Sequence, residues 1–318
     1  MNKDKIYQIL DEYYGISIQK IETINRLFFR KSYLIFDGAD RIVLKKYPPD
    51  FSEDLLKNIW MFTSNLNQCG IRTMELLEMK DGSFIYQEAG SCYVAYKYID
   101  GYRMEPGDSF EIGKALKKFH DISKKIACEK FGNLDRQICI EQIIDDIRKF
   151  SLYREESDVA RRIDDNIDTF LQCTKSYRLS DNILIHGDFT LNNILNCGEE
   201  KSIIDLDSVR WGNAIEDMSC FALSLLYFGS KELKLMPRYK EIADFITGYY
   251  QNNNTIPKYI INELVENIKV HCVIELAGQA HNFQISRRYP GNESYIDMLA
   301  NVVITEADNL KEQLEKYF

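Results

Sequence analysis

What this chain of 318 residues lacks narrows it first. It has no G-x-G triplet and no G-x-x-x-x-G-K-[ST] run. The glycine turns by which Rossmann and P-loop proteins bring backbone amides against phosphate are therefore missing. Its eight cysteines form no C-x-x-C pair, and its four histidines give no zinc-like spacing. The expectation is reduced thiols in a cytoplasmic protein and not a disulfide framework. The N-terminal MNKDKIYQILDEYY is a polar helix start without a signal-peptide core. The longest apolar run, about Cys220 to Phe228, is too short to span a bilayer, so no membrane partner is expected. Internal repeats and low-complexity segments are also lacking. There is no basic excess: the net charge is −9, and because residues 1–99 balance, all of the acidic surplus falls in 100–318. That argues against nucleic acid as a partner. What remains is a chain 45% hydrophobic, ample for a core, and long enough for one large domain or two modest ones.

The chemistry is concentrated between Ile183 and Asp217, in ILIHGDFTLNNILNCGEEKSIIDLDSVRWGNAIED. Ile183-Leu184-Ile185 reads as a buried strand, followed by His186, Asp188 and Asn193 in the pattern H-x-D-x-x-x-x-N. A turn at Gly198-Glu199-Glu200 leads to a second apolar run, Ile203-Ile204, which ends on Asp205 and Asp207. Phosphoryl transfer needs a carboxylate beside the acceptor hydroxyl and oxygen ligands that hold magnesium across the nucleotide phosphates. Asp188 suits the first task, while Asn193 and Asp205 offer an amide oxygen and a carboxylate to a hard cation. His186 is better placed as a hydrogen-bonding brace for the loop. Singly, H-G-D is a common turn and I-D-x-D a strand end. Together, in strand–loop–hairpin order, they carry the reading.

This stretch resembles the catalytic and metal-binding segments of the aminoglycoside phosphotransferase and choline kinase group, the small-molecule relatives of protein kinases. The resemblance is strongest over residues 183–220, with weaker echoes from 21 to 126. It implies Asp188 as catalytic base, Asn193 and Asp205 as magnesium ligands, and Asp207 as a group reaching a second metal through water. It also implies an α+β, two-lobed protein-kinase-like fold. A small antiparallel β lobe would cover 1–99 and a larger, mainly helical lobe 100–318, with the magnesium complex of ATP (or GTP) in the cleft between them. The acceptor would be a hydroxyl of a small molecule such as an aminosugar, an amino alcohol or a sugar. The acidic surplus is compatible with a cationic acceptor, although such surfaces commonly serve only solubility. The run IDLDSVRWGNAIED also resembles bacterial stress-response protein kinases, which would make the acceptor a protein Ser or Thr. Spore-coat relatives of the fold offer a third, non-catalytic alternative.

The remainder of the chain is read by period. Residues 3–14 form a helix ended near Gly15. IETINRLFF, KSYLIFDG and DRIVLKKY form a strand meander with a turn at Asp37-Gly38. The resemblance assigns Lys45, just after Val43-Leu44, to the nucleotide phosphates; Lys46 would point to the opposite face. The turn Phe29-Arg30-Lys31-Ser32 departs from the family in having no glycine, and Ser32 or the basic pair would substitute there. Residues 52–69 form a helix ended by Gly70, and Ile59 falls where kinases place the glutamate that anchors the lysine. Glu53 is the nearest alternative, or else simply a first-turn acid. A hairpin is expected from Glu75–Met79 and Ser83–Glu88 around Lys80-Asp81-Gly82. The strand Cys92–Ile99 follows, its tyrosines sheet packing, with Tyr98 at the lobe hinge assigned to the nucleotide. A helix follows Asp108 or Ser109, with His120 packed and hydrogen-bonded. Further helices are expected over 141–153, 158–172, 238–250, 256–276 and 293–316, with Asp217 as a cap or loop brace and 278–291 irregular.

Overall fold

The computed structural model describes residues 3–25, 31–48, 51–126, 131, 134, 140–153, 157–175, 183–227, 236, 238–251, 256–286 and 293–318. The turn residues Phe29 and Arg30, and Arg287 and Arg288, lie outside them. The chain divides into two compact units. The first comprises Met1–Tyr102, Ile126–Asp135 and Leu195–Asp207; the second comprises Arg103–Lys125, Arg136–Ile194 and Ser208–Phe318. The first unit thus extends past the expected 1–99 and takes in a later hairpin. A parallel bridge of Arg72 with Ser202, and the bond from Ile203 N–H to the Arg72 carbonyl (3.0 Å), tie that hairpin to it.

In the first unit, helix α1 (Lys3–Gln8) runs on through a wider turn, Ile9–Tyr14, and stops at left-handed Gly15. Strands β1 (Lys20–Asn25), β2 (Lys31–Asp37), β3 (Asp40–Tyr47), β4 (Ile85–Glu88) and β5 (Ser91–Lys97) form an antiparallel sheet in the order β1-β2-β3-β5-β4. One core gathers Ile9 and Leu10 with Ile35 of β2, Leu44 of β3 and Ala95 of β5, all fully buried. Leu44 and Ile42 sit two apart on β3, so the strand period puts both on the face that Lys45 does not share. Helix α2 (Glu53–Gln68) is capped by Ser52, whose hydroxyl accepts from Leu55 N–H at 3.1 Å, and buries Leu56, Ile59, Phe62 and Leu66.

One strand expectation is corrected. The turn at Lys80–Gly82 forms, but Glu75–Met79 is no strand; it meets the sheet through a bridge from Leu76 to Tyr96. The hairpin runs instead from β4 to β5 across Ala89-Gly90, both at positive φ, the mirror-image turn that suits twisted strands. A smaller sheet, in the order β6-β8-β9, joins β6 (Tyr102–Arg103) to a hairpin of β8 (Ile194–Cys197) and β9 (Glu200–Ile203).

The second unit is mainly helical. It contains the paired strands β7 (Ile183–Ile185) and β10 (Arg210–Gly212) and the helices α3 (Ser109–Lys125), α4 (Ile140–Tyr153), α5 (Asp158–Asp165), α6 (Ile167–Lys175), α7 (Ala214–Tyr227), α8 (Tyr239–Tyr250), α9 (Lys258–Ser286), α10 (Glu293–Asn301) and α11 (Ala307–Leu314). Expected helix 158–172 divides at Asn166, which ends α5. Gly278–Ser286, expected to be irregular, continues α9 to 29 residues, because α4, α6, α7, α10 and α11 all pack along it and outweigh one glycine. Helices α3 and α8 cross so closely that a Cβ at Gly113 would strike the Phe245 carbonyl, and one at Gly248 the Phe110 carbonyl. Stacked Phe221 and Phe245 (4.3 Å between centroids) fill the core beside that crossing.

Candidate active site

The loop after β7 is built around a buried aspartate. Gly187 holds φ +78°, and a Cβ there would run into the Ser208 carbonyl, so H-G-D tolerates only glycine in its middle. Asp217, in the first turn of α7, accepts from His186 N–H through Oδ2 and from Gly187 N–H through Oδ1, each at 2.8 Å. His120 adds a third bond, Nε2 to Asp217 Oδ2 at 2.9 Å, and its Nδ1 meets the Tyr249 hydroxyl at 2.9 Å. Since a carboxylate only accepts, Nε2 carries the proton. Burial pushes the Asp217 carboxyl up, but the His120 bond, the charges of His120 and His186 and the backbone amide outweigh it and hold it below its usual range. Asp217 and His120 are therefore loop braces, as expected.

On that loop, exposed Asp188 donates its N–H to His186 Nδ1 at 3.2 Å, so His186 braces as well. Phe189 and Leu191, just after Asp188, are buried and root the backbone. Asn193 closes a single tight turn, Leu191–Asn193, and its Nδ2 donates to the Asp188 carbonyl (2.8 Å) and to Asp188 Oδ2 (3.1 Å). Asp188 is thereby oriented by its own downstream neighbour. With the amide nitrogen used in this way, the Asn193 oxygen is the atom suited to a cation. Glu275, a lone acid in an apolar stretch of α9, has its carboxyl pushed up to about 7 by burial and by the charge of Asp188. Sequence reasoning passed over it; its only signal was an acid inside Val273-Ile274-Glu275-Leu276-Ala277.

In the first unit a second polar cluster gathers on β3, on β5 and after β9. Lys45, 7% exposed, pairs with Asp205 Oδ1 at 2.6 Å and with Asp207 Oδ2. Burial pulls the Lys45 ammonium down, but Asp207 and Asp205 outweigh it and hold the pKa above its ordinary value. Asp207, 1% exposed, also accepts at Oδ1 from the Tyr47 hydroxyl (2.9 Å), which meets the Tyr96 hydroxyl at 2.7 Å. Burial first, and then the charge of Asp207, push both phenols up, so they stay protonated donors. Asp205 is half-exposed and sits at φ +62°, a left-handed conformation uncommon outside glycine and a mark of functional loops.

Ser32 stands directly opposite Lys45 in the β2–β3 register and is buried, so the two share a face. Tyr98 does not join this cluster. Its N–H donates to the Arg41 carbonyl (3.0 Å), and its ring carries the Arg41 guanidinium at 4.4 Å. Glu53 lies at the surface on Lys57 (2.7 Å) and Gln87 (2.9 Å), the first-turn acid of α2. Sequence reasoning missed Tyr47 and Tyr96 as members of the site. The spacing of Tyr47, two residues past Lys45 on one strand, could have found it.

Comparison with known proteins gives a family and a fold. The phosphotransferase enzyme family matches residues 22–242. Curated proteins give no match. Among solved structures, a microcompartment-associated aminopropanol kinase is similar at 15% identity, covering 99% of this chain and 100% of that one, with a TM-score of 0.73. An amicoumacin kinase in complex with AMP-PNP, Ca2+ and Ami is similar at 16% identity over 97% and 94% of the two chains (TM-score 0.71). A spectinomycin phosphotransferase bound to ADP and spectinomycin is similar at 18% identity over 98% of each chain (TM-score 0.67). The fold is theirs: an antiparallel sheet unit and a helical unit of the protein-kinase-like, α+β kind.

Proposed function

Because this chain belongs to the phosphotransferase enzyme family, we propose that it moves the γ-phosphate of ATP to a hydroxyl of a small molecule. The observation that carries this reading is Asp188 held by Asn193 on a loop that Asp217 and His120 fix from behind. In the reaction the acceptor oxygen forms a bond to the γ-phosphorus while the bond from that phosphorus to the β,γ-bridging oxygen breaks, and ADP leaves. Asp188 accepts the hydroxyl proton and orients the attacking oxygen. Lys45, with Ser32 beside it, steadies the phosphates.

The donor set fits magnesium. Asp205 and the Asn193 amide are hard oxygen ligands, the kind this cation takes. Among the described residues no group of three or more His, Cys, Asp or Glu gathers as a protein-only metal cage. Magnesium bound through one or two side chains and the nucleotide's own phosphates needs no such cage. When bound, the ion neutralises charge on the β- and γ-phosphates. Asp205 and Asn193 would hold it.

For the acceptor, an amino alcohol or aminosugar is the class we favour. Three observations support it: the amine-bearing acceptor named for the aminopropanol kinase, the acidic surplus of residues 100–318, and the carboxyl of Glu275 within the electrostatic reach of Asp188. The test is ADP release from Mg·ATP, and separately from Mg·GTP, across pools of amino alcohols, aminosugars and neutral sugars. Turnover with one pool, reduced about 10²–10⁴-fold in Asp188→Asn, is expected. Wild-type turnover by Asp188→Asn would remove the assigned base. Nucleotide binding with silence across every pool would move the acceptor to a protein.

A further inference from the structure

Lys45, read above as the phosphate-steadying lysine, pairs with Asp205 and Asp207 and with no carboxylate of α2 among the described residues. The inward face of α2 is Leu56, Ile59, Phe62, Thr63 and Leu66, with no carboxylate on it, and Glu53 is engaged by Lys57 and Gln87. Yet Lys45 is nearly sealed from water, and an ammonium in that position is tolerated only against a fixed opposite charge. The charge that answers it most deeply is Asp207, itself 1% exposed. Asp207 in turn is not held by the loop alone. The Tyr47 hydroxyl donates to its Oδ1 at 2.9 Å, and the Tyr96 hydroxyl closes on Tyr47 at 2.7 Å. Both tyrosines sit on strands of the sheet that have a neighbour on each side, β3 and β5. The Tyr47 ring also lies under the Lys45 ammonium, 5.4 Å from Nζ.

We propose that Tyr47 and Tyr96 are positioning residues that lock Asp207 as the counter-ion of Lys45, in place of a helix carboxylate, so that Asp207 serves the lysine and not the metal. Asp207 gives Oδ2 to the ammonium and Oδ1 to a phenol inside the packed unit, whereas Asp205, which also pairs with the ammonium through Oδ1, is half-exposed and is the carboxylate suited to magnesium. The work of the metal loop is divided between two acids two residues apart. One is buried beside the lysine, and the other, which also touches the lysine, reaches solvent from a strained φ. This inference rests on the reading of Lys45 as a phosphate-steadying residue.

The test separates lysine from metal by measuring ADP affinity calorimetrically, once with magnesium and once in EDTA. Tyr47→Phe keeps ring and charge and removes one oxygen. It is expected to weaken ADP binding about tenfold in both buffers, the size of one hydrogen bond to a charged group. Tyr96→Phe should act in the same direction with a smaller loss and guards against a folding defect peculiar to Tyr47. The gain in affinity on adding magnesium should survive in both tyrosine variants and in Asp207→Asn, and collapse in Asp205→Ala. Loss of that gain in Asp207→Asn would make Asp207 a metal ligand and overturn the proposal. Unchanged ADP affinity in both tyrosine variants would overturn it too, leaving the kinase reading intact. Failure of the wild-type protein to bind ADP in either buffer would instead sink the nucleotide reading, and the inference with it.

Discussion

Two buried aspartates, one in each unit, are answered in opposite ways. Asp217 is fully buried and meets two backbone N–H groups and one imidazole. Asp207 is buried almost as deeply and meets a lysine and a phenol. The first holds a main chain in place and so fixes where a loop runs. The second holds a long, rotatable side chain and so fixes where a charge sits. A backbone donor cannot swing away, whereas an ammonium on four methylenes can, and this explains why Asp207 carries a further pair of hydroxyls behind it. Scaffold and function are thus read from what kind of donor a buried acid collects.

That contrast breaks most visibly at Asp217. Asp217→Asn turns an acceptor into a group that faces two backbone donors with an amide, and strands His120. A loss of stability of about 3–5 kcal/mol is expected from urea denaturation, with turnover lost alongside. A melt like that of wild type would show that the loop does not depend on this brace. The brace also has a pH signature. The Asp217 carboxyl is held below its unfolded value, so its stabilisation is present above the ordinary carboxylate range and disappears as the pH falls through its depressed pKa.

Gly187→Ala probes the same loop from the backbone side. The added methyl would meet the Ser208 carbonyl at a φ that disfavours any side chain, at a cost of about 1–3 kcal/mol. Turnover should fall further than stability alone accounts for, because Asp188 is the next residue. Equal losses in the two would mean that the loop relaxes without moving Asp188.

The smallest effect sharpens the comparison with a third acid. Glu275 meets burial and a like charge, and its carboxyl is raised to about 7. Here the folded chain binds the proton more tightly than the unfolded one. The associated stabilisation is complete below the unfolded value of about 4.5 and is lost as the pH rises through about 7. Glu275→Gln should therefore melt close to wild type at pH 5 and a few degrees above it at pH 8, for a unit of this size. Parallel melting curves across that range would show that Glu275 is already neutralised by something else.

Much of this arrangement was legible in the residues. The strand meander with its turn at Asp37-Gly38, helix α2 from its serine cap, and the strand–loop–hairpin around Asp188 all follow from local period and turn chemistry. His120 and Asp217 were legible as packed or capping groups, because a buried polar residue must find a partner. Where local reading failed, packing overruled it. Gly278 did not end α9, since five neighbouring helices hold that helix, and Glu75–Met79 meets β5 only at Ala95–Lys97, past the stretch that β4 pairs, which leaves it a single bridge and not a strand.

The sequence by itself determined the chemistry on offer: a carboxylate, an amide and two aspartates at fixed spacing, free of glycine loops, zinc spacings and basic excess. Only the tertiary structure decided which of those groups serve one another. Nothing in the order of residues says that Lys45 meets Asp207, 162 positions later, or that Tyr47 and Tyr96 stand behind it. Such pairings depend on which strands become neighbours and on how deeply each charge is buried. Burial of a charge is a property of the packed interior, and a linear sequence has no interior.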